Sequence, residues 1–359
     1  MEIKSNKKYK YTKTIRNWLL LGLIMLIGQV IIGGITRLTG SGLSITRWDI
    51  ITGVIPPLNA EEWLHEFNLY KETPQFHKIN STFTIQDFKF IYFWEYFHRL
   101  WVRALGFIFL IPFLIFVVRK KINGYLIKRL GLVVFLTILT ASAGWIMVKS
   151  GLVNRPWVNA YKLTIHFMLA LLVITAMVKT IADVYNFGTR KANKSRKIVS
   201  LVLVITFIQM IFAGLMSGMR AGLYYPSWPN MNGEFLPAVL LNSENWIWEN
   251  MINYDSYLFA PAFIQFTHRM LAYLLLVITI YMFLKLRNKI TVFSKNWLNT
   301  ILFLLILQVV LGILTVLNVE GKIPLFLGTS HQLVGVLFLI SLLFLNYSLR
   351  EQKNKKTPI

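Results

Sequence analysis

The sequence contains no cysteine. That absence excludes disulfides, thiolate metal sites and cysteine nucleophiles. Charge is also scarce: charged residues make up 15% of the 359 residues, and acidic side chains number 15 against 38 basic ones. What fills the chain is apolar, 55% hydrophobic and 14% aromatic. An ordinary soluble domain of this length is not so poor in charge.

About 20 mostly apolar residues cross the hydrocarbon of a bilayer. Eight segments meet that length, at 18–36, 93–118, 130–148, 163–185, 198–216, 262–284, 297–317 and 326–349. The first follows a Lys-rich start, but its apolar run is long and no small-residue cleavage site follows, so it is read as a helix rather than a signal peptide. The net charge of +23 is a matter of topology. Of the 38 basic residues, 24 fall in the N-terminal segment, three short connections and the tail. All five lie on one side if eight helices alternate, which the positive-inside rule makes the cytoplasm or the mitochondrial matrix. Nucleic acid is not expected as a partner. Long connections at 37–92 and 217–261 occupy the other face and hold most of the acidic residues.

The chain also repeats itself. "GQVIIGGITRLTGSGLS" matches "IQMIFAGLMSGMRAGLY", with Gln at the same place, then small residues, an Arg and a Gly-Leu. Four helices per unit is an even number, so both halves enter the membrane in the same direction. The expected fold is an all-α polytopic membrane protein, eight transmembrane helices as two four-helix bundles, 1–189 and 190–359, related by a pseudo-two-fold axis along the membrane normal.

Four of the six histidines fall one each on the second, fourth, sixth and eighth spans: His98, His166, His268 and His331. After Arg103 only 15 apolar residues remain before Arg119, and after Arg269 only 15 before Lys285. Each of these helices must therefore include its His-Arg turn, which sets the histidines at one depth. A lone membrane histidine is ordinarily an interhelical hydrogen bond. Two facing imidazoles per apolar bundle, repeated between halves, suit the axial positions of a haem iron, with His98 paired to His166 and His268 to His331. Zinc or copper would recruit further ligands. His65 and His77 read as solvated loop residues.

Arg99 and Arg269 follow two of these histidines. A guanidinium within the bilayer needs a partner, and a haem propionate is one, snorkelling to the headgroups being the alternative. The halves differ three residues before the His: Glu95 in "EYFHR", Gln265 in "QFTHR". Residues i and i+3 share a helix face, so a carboxylate able to exchange a proton stands beside the first site alone. The first half is thus expected to react and the second to hold a permanent haem, although Glu95 orienting His98 or pairing with Arg99 is also open.

Taken together, "GGITRLTGSGLSITRWDIITGVIPP", "EYFHR", "SGLVNRPWVNAYKLTIH", "RAGLYYPSWPNMNGEFLP" and "FTHR" resemble the heme A synthase family over nearly the whole chain. The resemblance implies oxidation of a ring methyl of haem O, through an alcohol, to the formyl group of haem A, with oxygen from water. It implies haem O as substrate at His98 and His166, an essential acidic residue at Glu95, and a resident haem b at His268 and His331 that passes electrons to an unidentified acceptor. Haem O synthase and cytochrome oxidase assembly factors are implied partners, and membrane lipid the surroundings. Some members carry a cysteine pair in the outer loops, which this chain lacks. The runners-up are a dihaem electron carrier of the cytochrome b type, disfavoured by the Glu95/Gln265 difference, and a haem exporter, disfavoured by the want of matched helix breaks. No Arg/Ser-rich transit segment precedes the first span, so the expected location is a bacterial inner membrane with both termini cytoplasmic.

Overall fold

A computed structural model describes residues 11–47, 55–152, 155–188 and 195–351. The expected division at 189/190 and much of the basic charge of both termini lie outside these residues. Among the described residues eight helices are long and apolar enough to cross a membrane: α1 (Lys13–Leu38), α2 (Ile85–Val118), α3 (Gly124–Gly151), α4 (Ala160–Val184), α5 (Arg196–Gly218), α6 (Phe259–Leu286), α7 (Val292–Leu317) and α8 (Leu325–Ser348). The protein is an all-α, multi-pass membrane protein.

The helices begin where the sequence supplies caps. The side chains of Thr12, Asn123, Asn159 and Thr291 accept the first free N–H groups of α1, α3, α4 and α7. At α2, Thr84 and Asp87 form a capping box, and the helix starts at Ile85, eight residues before the apolar run at 93. Hydropathy alone misses those two turns because their function is not lipid contact. Phe88 and Tyr92 instead pack against Trp63, Phe67 and Tyr70 of the first long connection. That connection contains two short helices, Ala60–Lys71 and Pro74–Lys78, which carry the exposed His65 and His77.

Four helices make the middle of the molecule. α1, α4, α5 and α8 are the most buried, while α2 and α3 flank one side and α6 and α7 the other. The principal pairings are α1 with α2, α4 and α8; α3 with α2 and α4; α4 with α5 and α8; α5 with α6 and α8; and α7 with α6 and α8. Moving every helix on by four maps this set onto itself. Flanking helices turn apolar side chains outward, among them Phe107, Ile111 and Leu114 on α2 and Phe135 and Ile138 on α3. Such faces suit lipid, where helices need no partner for their backbone.

Small residues let the central helices approach. A Cβ built on Gly218 of α5 would lie 2.6 Å from Ala160 Cα and 2.7 Å from Ala160 Cβ of α4. These atoms cannot swing aside, so Gly218→Ala must separate the helices. Overpacking of this kind costs about 1–3 kcal/mol. The variant is expected to unfold at a lower temperature than wild type in detergent, and an unchanged midpoint would show that the contact is slack.

The long connections, those joining α1 to α2 and α5 to α6, lie at one end of the bundle. Here the second long connection docks on the start of α4. Tyr254 Oη accepts from the Ala160 N–H at 2.9 Å and from Arg155 Nη1 at 2.6 Å, and Trp157 Nε1 donates to Asp255 Oδ1 at 2.9 Å. At the opposite end Asp183 of α4 accepts Tyr125 Oη at 2.7 Å and pairs with Arg350 beyond α8.

Candidate functional site

Each of the four membrane histidines points into the bundle, and each faces a neighbouring helix in a way that fixes its ring. In α4, His166 Nδ1 lies 2.9 Å from the Thr140 carbonyl of α3. In α8, His331 Nδ1 lies 3.1 Å from the Gln308 carbonyl of α7. A carbonyl oxygen can only accept, so Nδ1 carries the proton and Nε2 keeps the lone pair, the form in which imidazole binds a metal. One turn beyond each carbonyl stands a glycine. A Cβ on Gly144 would meet His166 Cε1 at 2.9 Å, and one on Gly312 would meet His331 Cε1 at 2.9 Å. These glycines make room for the rings.

The other two rings face glutamines. Gln29 Nε2 of α1 lies 3.2 Å from Nδ1 and 3.1 Å from Nε2 of His98. Gln209 Nε2 of α5 lies 3.1 Å and 3.3 Å from the same atoms of His268, and donates to the His268 carbonyl at 3.1 Å. Gln29 Oε1 and Gln209 Oε1 are buried without a hydrogen bond. Gly33, one turn from Gln29, would bring a Cβ within 3.1 Å of His98 Cε1.

The second expected pair comes together, while His98 and His166 stand on α2 and α4, both of which pack against α1. The His268 and His331 ring centroids are 6.5 Å apart, the planes inclined at 66°. Two imidazoles on opposite sides of one metal, each nitrogen about 2.0–2.1 Å from it, have centroids roughly 6.3 Å apart. Among the described residues no three His, Asp or Glu side chains gather to hold a bare metal ion. A pair at this spacing fits an iron whose remaining ligands come from a macrocycle.

Glu95 and Arg99 lie on one face of α2. Glu95 is 3% exposed; its Oε2 accepts from Ser44 Oγ at 2.8 Å and the Ile45 N–H at 2.9 Å, and its Oε1 meets Arg99 Nη2 at 2.6 Å. Arg99 also donates to the Ile45 and Arg47 carbonyls, at 3.3 Å and 3.2 Å. In the second half Arg269 donates to the carbonyls of Tyr225, Ser227 and Asn230, while Gln265 Nε2 donates to the Tyr225 carbonyl at 2.9 Å. The arginines thus hold the loops leaving α1 and α5. The Glu95/Gln265 difference has a counterpart in those loops: the first presents an N–H to the side chain and the second a carbonyl. Gln29 and Gln209 face the His98 and His268 rings, a placement that their recurrence in the two matched stretches signals. Thr140 holds its ring through a backbone carbonyl, which leaves no trace in residue type, whereas Gln308 also brings its side-chain Nε2 to 3.3 Å from His331 Nε2.

An eight-helix membrane protein with two internal histidine pairs, one flanked by a carboxylate and the other by an amide, is the class this architecture defines. Residues 16–343 match the family model described as cytochrome oxidase assembly protein. The chain is 36% identical to the heme A synthase of Nitrosospira multiformis over 97% of both chains. It is 37% identical to that of Wolbachia from Brugia malayi, over 96% of this chain and 99% of the relative. With the heme A synthase of Flavobacterium psychrophilum the identity is 34%, over 92% and 96%. The chain belongs to the heme A synthase family.

Proposed function

We propose that the protein oxidises a ring methyl of haem O to the formyl group of haem A through an alcohol stage, with the new oxygen taken from water. The observation that carries this reading is the asymmetry of two otherwise matched sites: a buried carboxylate, Glu95, beside His98, and an amide, Gln265, beside His268. The protein is then two halves, 1–189 and 190–359, related by a pseudo-two-fold axis along the membrane normal, as the self-mapping helix pairings support. The first half takes the substrate between His98 and His166. Its walls are the smaller ones, with Thr140 where the second half has Gln308, and Gly33 where Ala213 follows Gln209.

The second half holds haem b between His268 and His331, and that group, when bound, supplies a one-electron redox centre. His166 and His331 present Nε2 because the Thr140 and Gln308 carbonyls take the proton on Nδ1. Glu95 takes up protons released at the reacting edge, and Arg99 supplies its counter-charge. Arg99 and Arg269 serve the propionate ends of the two haems, steadying the outer loops there. Electrons leave to an external acceptor. The chain sits in a bacterial inner membrane with both termini cytoplasmic, and haem O synthase and cytochrome oxidase assembly factors are its working partners.

Extraction and identification of the haems from cells with and without the protein tests the proposal. Haem A is expected only when the protein is present, and haem O is expected to accumulate without it. Identical haem contents in the two cultures would sink the assignment.

A further inference from the structure

Arg37 lies in the last turn of α1, one turn outward from Gly33, where α1 meets the His98 ring. It belongs to the "GGITRLTGSG" stretch, to which the site described above gives no role. Its Nη2 donates to the Ser217 carbonyl and, at 3.5 Å, to the Gly218 carbonyl, at the C-terminal end of α5. Its Nε is buried and hydrogen-bonds nothing. The ion pairs among the described residues join Arg99 to Glu95, Arg129 and Arg350 to Asp183, and Arg155 to Asp255; none reaches Arg37. Its hydrogen bonds to Ser217 and Gly218 bring it close in the chain to Arg220, whose guanidinium lies over the Trp157 ring at 4.4 Å and forms no ion pair among the described residues.

Arg37 and Arg220 are thus neighbours where the halves meet; Asp255, held by Arg155 and Trp157, acts on Arg220 without pairing with it, and no acid pairs with Arg37 among the described residues. The C-terminus of α5 offsets only roughly half a charge. A cation in such a place marks a ligand or a partner. The free edge of a guanidinium matches a carboxylate through two parallel hydrogen bonds. Arg99 and Arg269 serve the propionate ends from the loop side, their Nη groups holding loop carbonyls, so a further cation beside the first-half centre is not redundant with them.

We infer that Arg37, with Arg220 beside it, is the anion subsite of the first-half centre and receives the propionate carboxylates of the substrate haem. The inference rests on the reading that places substrate between His98 and His166. α1 packs against both α2 and α4, which carry those residues, so a carboxylate held by Arg37 would lie one turn along α1 from Gly33 and the His98 ring. Propionates then face the outer end, while the apolar tail of the substrate stays toward lipid.

The test is an absorbance titration of the purified full chain with haem O and with its dimethyl ester, which keeps the iron and the tail but removes both charges. Wild type is expected to bind the diacid about tenfold or more tighter than the ester. Arg37→Gln should lose most of that preference, and Arg37→Lys should recover part of it. The second-half spectrum that depends on His268 and His331 reports folding. An unchanged preference in Arg37→Gln overturns the assignment, as does equal weakening of both ligands while the second-half spectrum persists. If Arg37→Gln loses that spectrum, Arg220→Gln replaces it, and an unaltered preference there is the overturning result. A wild type with no haem uptake sensitive to His98→Ala overturns the substrate reading and this subsite with it.

Discussion

Purified His268→Ala and His331→Ala are each expected to lack the low-spin, bis-histidine haem b spectrum of the wild type, while His98→Ala and His166→Ala retain it. The reason is geometric. Low-spin iron requires both axial nitrogens, and the 6.5 Å separation of the His268 and His331 centroids leaves space for one metal between them. Neither helix offers a substitute ligand, since no further His, Asp or Glu joins the pair among the described residues. Alanine at 331 also leaves the Gln308 carbonyl without its donor, and alanine at 268 leaves Gln209 facing a void. Loss of spectrum is therefore expected to be complete rather than partial. Visible absorbance of detergent-purified protein, with haem extracted and quantified in parallel, makes the measurement. A normal spectrum from both second-half variants would defeat the site assignment.

The long helices and the approach of His268 to His331 were legible because they depend on length and spacing, properties a sequence carries directly. The 15-residue apolar runs after Arg103 and Arg269 force the His-Arg turns into the membrane, and the structure has them inside α2 and α6. The first turns of α2 were not legible, because Phe88 and Tyr92 answer to an aromatic cluster in the loop and not to lipid. The pairing of Arg99 with Glu95 was open to the sequence, but the loop partners of Arg99 and Arg269 were not. Backbone carbonyls of Ile45, Arg47, Tyr225, Ser227 and Asn230 receive them, and a carbonyl is present at every residue. Arg37 carries a plain signal of charge at the end of a span, but only the fold reveals that it reaches α5 and finds no acid there.

Glu95→Gln is expected to stop haem A formation while both haems stay bound. The substitution preserves shape and removes the charge and the proton site, but in this setting it is not silent for the loop. Glu95 meets donors at both oxygens: Ser44 Oγ and the Ile45 N–H at one, Arg99 at the other. Whichever way the amide turns, its NH2 faces a donor, and one side of the clamp opens. Gln265 escapes this conflict because its loop offers the Tyr225 carbonyl. Loss of activity in Glu95→Gln alone therefore does not separate proton transfer from loop positioning, and Ser44→Ala is the control that does. That variant removes one loop bond, a loss of about 1 kcal/mol, and leaves the carboxylate and Arg99 in place. If Glu95 moves protons, Ser44→Ala keeps most of the haem A yield and the wild-type pH profile, whereas Glu95→Gln forms none and Glu95→Asp restores part with an altered profile. If Glu95 only holds the loop, Ser44→Ala and Glu95→Gln lose activity by comparable factors and neither shifts the profile. A wild-type yield of haem A from Glu95→Gln removes the residue from the mechanism altogether, and the difference between the halves would then reside in the room around the rings, in Gly33 and Thr140 against Ala213 and Gln308.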